Sequence, residues 1–250
     1  PSAIAYRPSM GVSSAHWLGT TALGQDVYAQ LIWGARQPMI IALVVGALTT
    51  VISVIVGVSS AYFGGFVDGV LSLVTDVLLV IPTFPLVIAI AAYARAENMF
   101  TIIIVLTITG WSYGARQLRP QAMSLKNRDF LESARARGER RSYIIVNEIL
   151  PTMTSLIVAN FLGSALYAVL AAAGLQFIGL GDPNAQSWGT MLYWAQNNYA
   201  LQTGSPLWAI MPGLMIAILG AAFSLMNYAF DEISNPALRP VRKNRVRAAS

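Results

Sequence analysis

Long apolar runs alternate with short polar stretches along this chain. Five runs approach the length of a membrane span, and they cover residues 38–63, 69–93, 99–113, 152–178 and 207–230. About 20 helical residues cross the hydrocarbon core of a bilayer at 1.5 Å per residue, so each run predicts a spanning helix. The third run is the shortest, and it reaches span length if the helix extends toward Leu118 with Arg116 snorkelling to the interface.

The second run contains two prolines and a carboxylate. Pro82 and Pro85 lack the amide proton of a helical residue, so we expect a kink in this span. Asp76 lies within the run, and an ionisable group inside a membrane is costly and therefore a functional candidate. The alternative is a structural role, in which Asp76 pairs with Arg116 or Arg119 or with backbone donors freed by Pro82.

The composition agrees with an all-α polytopic membrane protein. Hydrophobic residues make up 56% of the chain and charged residues 11%, with a mean hydropathy of +0.58. A soluble domain carries about a quarter charged residues. Cysteine is absent, which excludes disulfides and thiolate chemistry. His16 is the single histidine, which argues against a metal site within this chain.

The basic residues indicate the orientation of the chain in the membrane. Eight of the 16 lysines and arginines lie between the third and fourth runs, and five follow the fifth run. By the positive-inside rule, we expect the loop 114–151 and the basic tail 232–250 in the cytoplasm. Residues 1–37, an external segment with a lead-in helix, and the loop 179–206 then lie outside, and 38–231 form the transmembrane domain. Because the charges follow this topology, the net charge of +5 does not indicate a nucleic-acid partner.

Nine charged residues crowd into positions 128–148. A solvated cytoplasmic loop that touches anionic lipid would explain them. However, Asp129 with Glu132 three residues later is a helix-start signature, and Gly138 is suited to end that helix. An apolar face then returns, and Pro151 starts the next span at a position where its missing amide proton is not needed. We therefore predict a short helix, a glycine turn and a second helix that leads into the membrane.

The spacing within this stretch is distinctive. Glu132-Ser133-Ala134 is followed after three residues by Gly138, and after ten more by Ile149-Leu150-Pro151. This pattern resembles the EAA loop of ATP-binding-cassette (ABC) importer permeases, in the form found in the dipeptide, oligopeptide and nickel group. Ser133 stands where that family usually has alanine. Residues 16–26 (HWLGTTALGQD) and 179–189 (GLGDPNAQSWG) are similar to segments of the second permease of the same group.

The resemblance implies the type I ABC importer transmembrane fold. Family members usually have six spans, so we expect five here and a sixth, N-terminal span to be missing from this sequence. The implied function is that of a permease subunit of an importer in the prokaryotic plasma (inner) membrane. Di- or oligopeptides are the expected substrates, and oligosaccharides or nickel are the alternatives. The resemblance also implies that this chain is not an enzyme and holds no cofactor, since ATP and Mg bind to partner subunits.

Several partners follow from the same resemblance. They are a homologous permease that completes a heterodimer, two ATP-binding subunits, an extracellular or periplasmic solute-binding protein, and membrane lipid. The residues to which the resemblance assigns coupling to the ATPase are Asp129, Glu132, Ser133, Ala134, Arg137, Gly138, Ile149, Leu150 and Pro151. Small side chains at 133 and 134 would permit a close approach to the ATPase, and a glycine at 138 would permit a sharp turn.

Two further groups of residues are candidates within this reading. The candidates for the substrate pathway are Asp76 and the polar residues of the fourth run, Asn160, Ser164, Tyr167 and Gln176. The candidates for docking of the solute-binding protein are four aromatic residues of the outer loop, Trp188, Tyr193, Trp194 and Tyr199. An interfacial aromatic belt and direct contact with the substrate are the alternatives for these aromatic residues.

Other classes of function fit the sequence less well. The hydrolase motifs HExxH and GxSxG are absent, which argues against an intramembrane enzyme. Neither Lys126 nor Lys243 follows a phosphate-binding glycine loop, so the energy source must be another chain. A secondary transporter or channel would be expected to show inverted repeats or more buried ionisable residues, and no clear repeat is present.

Overall fold

The computed structural model of the protein describes residues 6–95 and 98–234. Helices dominate this part of the chain, as predicted. They are α1 (Val27–Gly34), α2 (Arg36–Phe63), α3 (Gly65–Val80), α4 (Thr83–Tyr93), α5 (Met99–Leu125), α6 (Asp129–Ala136), α7 (Arg141–Tyr143), α8 (Leu150–Thr152), α9 (Thr154–Phe177), α10 (Trp188–Asn197) and α11 (Pro206–Ser234), with a π-helical turn at Ile144–Ile149 between α7 and α8. The predicted basic tail lies outside the described residues from position 235 onward.

The long helices correspond to the predicted spans. In the described residues, four helical stretches are long and apolar enough to cross a membrane, and they are Val27–Phe63, Met99–Leu125, Thr154–Phe177 and Pro206–Phe230. A fifth apolar unit consists of α3 and α4, whose axes are bent by 90°. Residues 6–95 and 98–234 thus hold four continuous candidate spans and one broken one, where the sequence predicts five spans.

The second apolar run is broken into two helices, where the sequence predicts only a kink. Pro82 confines the preceding Ile81 to an extended conformation, with φ −74° and ψ 129°, and cannot donate to the preceding turn. The helix therefore stops at Val80, and a new helix starts at Thr83 in a different direction. Pro85 causes no break, because it lies in the first turn of α4, where amide protons have no helical partner.

The third span is longer than predicted. Helix α5 continues from Met99 to Leu125, so the predicted loop 114–151 begins as helix and leaves it only at residue 126. The polar end of α5 stays helical because one of its faces is covered: Leu118 and Ala122 are fully buried. This end of α5 packs against α2 so closely that a β-carbon at Gly57 would lie 2.7 Å from the carbonyl oxygen of Ala115.

Apolar contacts hold the bundle together in layers. One cluster joins α2, α4, α5 and α9, and it includes Val45, Val87, Leu106 and Leu175. A second cluster joins α1, α9, α10 and α11 around the fully buried Trp208. A third cluster lies where α2 and α5 meet the segment 131–153. We call this third region the coupling end of the bundle.

Residues 6–26 form a folded segment at the opposite end. The backbone of Thr20 pairs with Asp26, and the Ser205 hydroxyl donates to the Thr20 carbonyl at 3.1 Å. Asp26 accepts the Ala29 amide proton at 2.8 Å and thereby caps α1. Its second carboxylate oxygen lies 2.7 Å from Nδ1 of the buried His16. The single histidine thus links this segment to the residue that caps α1.

Candidate functional site

The short helix α6 forms the centre of the coupling end. It begins at Asp129, and Arg128 occupies the N-cap position without a side-chain capping bond. The prediction that Asp129 caps the helix is therefore wrong. Asp129 and Glu132 both lie in the first turn instead, where negative charge interacts favourably with the helix dipole.

The predicted glycine turn is present at the end of α6. The Gly138 amide donates to the Arg135 carbonyl at 2.9 Å, and the Glu139 amide donates to the Ala134 carbonyl at 3.2 Å. This pair of bonds is a Schellman motif, which requires a left-handed residue, and Gly138 has a φ of +77°. Without a β-carbon, glycine adopts this conformation at little cost.

Helix α6 has one buried face and one free face. Leu131 and Ala134 are fully buried against Val58 and Leu118 of α2 and α5. Glu132, Ser133 and Arg137, by contrast, are exposed. The residues predicted to couple to the ATPase therefore divide into two groups. Ala134 and Ile149 are buried and join α6 to the bundle, and Leu150 is half-buried, whereas Asp129, Glu132, Ser133, Arg137, Gly138 and Pro151 are on the surface.

The segment after Gly138 is less regular than predicted. Instead of one helix, it consists of the short helix α7, the π-helical turn and the short helix α8. The Leu150 amide donates to the Ile145 carbonyl, five residues back, and the next residue, Pro151, has no amide proton. Pro151 lies in α8, so it does not start the spanning helix α9, which begins at Thr154.

Polar contacts attach α6 to the ends of two spanning helices. The Arg135 guanidinium donates to the Lys126 carbonyl at 2.9 Å and lies 5.9 Å from the centre of the Tyr62 ring. The ammonium group of Lys126 donates in turn to the Ala61 carbonyl at 3.3 Å. Together with the buried face of α6, these contacts mean that a push on α6 acts directly on the ends of α2 and α5.

Two arginine–aspartate pairs lie just behind the coupling end, between α3 and α5. Asp76 pairs with Arg116, and the two side chains are about half exposed. This contact is the one that the structural interpretation of Asp76 predicted. Arg119 pairs with Asp68, to which it donates from Nε and Nη2 at 2.7 and 2.6 Å. Sequence reasoning missed Asp68, although its place two helical turns before Asp76 on α3 could have revealed it.

Three of the predicted pathway residues line one cavity. This cavity has a volume of about 500 Å³ and lies between α5, α9 and α11, with Asn160, Ser164, Tyr167 and the unpredicted Asn227 in its lining. The carbonyl oxygens of Asn160 and Asn227 and the hydroxyl of Tyr167 are buried, and the described residues give them no hydrogen-bond partner. No lining residue carries a formal charge. The cavity is thus neutral, with amide and hydroxyl groups set among apolar ones.

Gln176 and Asp76 lie elsewhere. The Gln176 side chain is buried, and its Oε1 accepts the Ser187 hydroxyl proton at 2.7 Å. Gln176 therefore fastens α9 to the start of α10 and does not line the cavity that holds the other pathway candidates of α9. Asp76 lines a separate cavity of about 270 Å³ with Arg116 and Arg119, near the coupling end.

The four outer aromatic residues differ in accessibility. Trp188 is 5% exposed, and its Nε1 donates to the Leu31 carbonyl at 2.9 Å, so its prediction as a docking residue is wrong. Tyr193 is half-buried beside Gly179. Trp194 and Tyr199 are exposed, by 37% and 68%. Of the four predicted docking residues, Trp194 and Tyr199 are thus accessible, and Tyr193 is accessible in part.

Comparisons with known proteins agree with this architecture. Residues 50–239 match the family model described as binding-protein-dependent transport system inner membrane component. The oligopeptide transport system permease protein OppC of Mycobacterium tuberculosis is 33% identical over 230 residues, which are 91% of this chain and 78% of that protein. The glutathione transport system permease protein GsiD of Pectobacterium atrosepticum is 31% identical over 238 residues, 93% of this chain and 76% of that protein.

A solved structure shows the same fold. A chain of the MetNI methionine ABC transporter, in inward-facing conformations, superposes with a TM-score of 0.63. The two chains are 17% identical, and the superposition covers 81% of this chain and 96% of the MetNI chain. The protein therefore belongs to the family of binding-protein-dependent transport system inner membrane components, and it is a multi-pass inner-membrane permease with the ABC importer fold.

Proposed function

We propose that this chain is one of two homologous permease subunits in an ATP-driven importer of di- and oligopeptides. Residues 38–231 would form its half of the translocation pathway, with 1–37 and 179–206 outside and 114–151 and 232–250 in the cytoplasm. The observation that carries the proposal is the two-faced helix α6. Its exposed face is free for a partner, while its buried face is packed onto the ends of α2 and α5.

The coupling step follows from this geometry. Two ATPase subunits would bind ATP and Mg, and this chain would supply neither catalytic groups nor a cofactor. When the two ATPases close on ATP, one of them would push the free face of α6, including Glu132, Ser133 and Arg137. Because Leu131 and Ala134 are fully buried beneath that face, the displacement would pass into the bundle without being absorbed by a flexible loop.

The chemistry of the inner cavity supports a peptide substrate. Amide and hydroxyl groups line it without a formal charge, and such groups can form hydrogen bonds with peptide bonds of any sequence. They would also suit oligosaccharides. The names of the relatives, which refer to oligopeptide and glutathione transport, favour the peptide. Tyr193, Trp194 and Tyr199 would contact the solute-binding protein from the outer surface.

Reconstitution tests the proposal. The chain is co-expressed with its partner permease, ATPases and solute-binding protein, purified as a complex, and placed in liposomes. We expect ATP-dependent uptake of a labelled tripeptide or pentapeptide. Uptake of a labelled oligosaccharide or of nickel, with no peptide uptake, would overturn the substrate assignment. A complex that purifies without ATPase subunits and transports without ATP would overturn the proposed mechanism.

A further inference from the structure

Helix α3 is attached to the bundle by little apolar packing. Among its 16 residues only Thr75 is buried, and its main contacts are with α2 and α5. Most of its apolar side chains are exposed, as Phe66 and Val80 illustrate with exposures of 87% and 83%. Apolar burial therefore does not explain how α3 keeps its position.

A polar cluster on the side of α3 that faces α2 and α5 holds the helix in position. Arg119 binds both carboxylate oxygens of Asp68 and also donates from Nε to the Ser60 hydroxyl at 3.2 Å. The hydroxyl groups of Ser60 and Ser72 both donate to Asp68, the latter at 3.1 Å. The cluster thus joins α2, α3 and α5 at one point. Two-point arginine–carboxylate pairs fix both distance and orientation.

The neighbouring Arg116–Asp76 pair joins the same two helices but is more exposed. Its side chains are 60% and 49% accessible, compared with 30% and 18% for Arg119 and Asp68. Arg116 also donates to Asp76 through one nitrogen only, whereas Arg119 donates to Asp68 through two. Arg119 and Asp68 therefore form the main polar attachment of α3 to α5.

Helix α5 connects this cluster to α6. It is continuous to Leu125, and α6 starts four residues later. At the opposite end, α4 is packed onto α5 through Val87 and Ala91, which contact Ile102 and Leu106. The broken unit of α3 and α4 is thus held to α5 at both of its ends.

We infer that Arg119 and Asp68 are positioning residues that make α3 move with α5 when α6 is displaced. The inference rests on the proposed function, which supplies the displacement. Without the pair, α5 would still move, but α3 would follow loosely, since the 90° break at Pro82 leaves it free to pivot. ATP hydrolysis would then continue while transport falls.

Spin-label distances in the assembled transporter test this inference. The chain contains no cysteine, so labels can be introduced at chosen sites. The first pair, Val77 and Ile108, reports the distance between α3 and α5 from two exposed positions. The second pair, Ile108 and Leu170, reports movement of α5 against α9.

In the wild type, we expect the Val77–Ile108 distance to stay narrow with and without ATP, while the Ile108–Leu170 distance changes. In Asp68→Asn and Arg119→Lys, the Val77–Ile108 distribution should broaden and should change with ATP. Transport should fall several-fold in both variants with ATPase activity retained. Arg116→Gln serves as the matched control on the exposed pair and should leave the Val77–Ile108 distribution narrow.

Two results would overturn the inference: a narrow Val77–Ile108 distribution in Asp68→Asn and Arg119→Lys, or parallel losses of transport and ATPase activity. If either variant fails to assemble, the other decides, since each removes the two-point contact separately. If the wild-type Ile108–Leu170 distance is the same with and without ATP, the proposed function is contradicted. The width of the Val77–Ile108 distribution without ATP would still decide the role of the pair.

Discussion

Gly114 of α5 and Asn160 of α9 are in direct contact, since a β-carbon at Gly114 would lie 2.3 Å from Nδ2 of Asn160. It would also lie 2.5 Å from the hydroxyl oxygen of Ser53, whose proton is donated to the Trp111 carbonyl. Helices α2, α5 and α9 therefore meet at a point that has room only for glycine. The cavity lined by Asn160 lies beside this contact.

We predict that Gly114→Ala destabilises the bundle by roughly 1–3 kcal/mol, because the added methyl group displaces a buried amide. Thermal unfolding of the purified chain in detergent measures the effect. Gly163→Ala is the control, because a β-carbon at this α9 position has no neighbour within 4 Å. Equal melting temperatures for the two variants would contradict the predicted contact.

The turn after α6 gives a second prediction. In Gly138→Val, a β-branched residue must adopt the left-handed conformation, which costs roughly 1–2 kcal/mol and is relieved if the turn opens. We expect ATP-driven uptake to fall while ATP hydrolysis continues. Asparagine tolerates positive φ, so Gly138→Asn should retain most of the transport. Equal transport by both variants would show that the turn does not set the position of α6.

Charge on the free face of α6 gives a third prediction. Glu132→Lys places a cation where we propose contact with the ATPase. The loss of a charge-assisted hydrogen bond costs roughly 1.5–3 kcal/mol, so uptake should fall about tenfold or more. Ser133→Ala is the control, because it restores the residue usual in the family and removes only the exposed bond from Ser133 to the Asp129 carbonyl. Uptake and substrate-stimulated ATPase rates at wild-type level in Glu132→Lys would rule out this contact.

The neutral cavity gives a fourth prediction. Asn227→Leu keeps the size of the side chain but removes its hydrogen-bonding groups. Each hydrogen bond to a neutral substrate contributes roughly 0.5–1.5 kcal/mol, so we expect the KM for peptide uptake to rise about two- to tenfold. Met226→Leu, at the exposed neighbouring position outside the cavity, is the control. A KM that is unchanged in Asn227→Leu would remove Asn227 from the proposed pathway.

The sequence predicted the elements that depend on local patterns. The apolar runs predicted the spans, and the spacing from Glu132 to Gly138 predicted α6 and its turn, because glycine is the residue best able to adopt the left-handed conformation found there. The pairing of Asp76 with an arginine was also predictable. A carboxylate within an apolar helix needs a partner, and Arg116 and Arg119 were the nearest basic residues along the chain beyond the next apolar run.

The errors concern properties that depend on tertiary packing. Trp188 and Gln176 were assigned to surfaces by residue type, but helix α10 folds back onto the bundle and buries both. The length of α5 was underestimated because its polar residues resemble a loop until α2 covers Leu118. Asp68 was overlooked because an acidic residue near the start of a helix is unremarkable until Arg119 is brought beside it.

The π-helical turn between α7 and α8 has a consequence for insertions and deletions. Ile144 and Ile149, which are five residues apart, are both buried on one side of the chain. Five residues of ordinary α-helix would place them about 140° apart, so the widened turn is what lets both face inward. Deleting one residue from 145–148 should close the turn into ordinary α-helix, in which the two isoleucines, then four residues apart, would lie about 40° apart and still face inward. The orientation of α6 should therefore survive this deletion, whereas an additional residue inserted into ordinary helix there would rotate α6 by about 100° relative to α9.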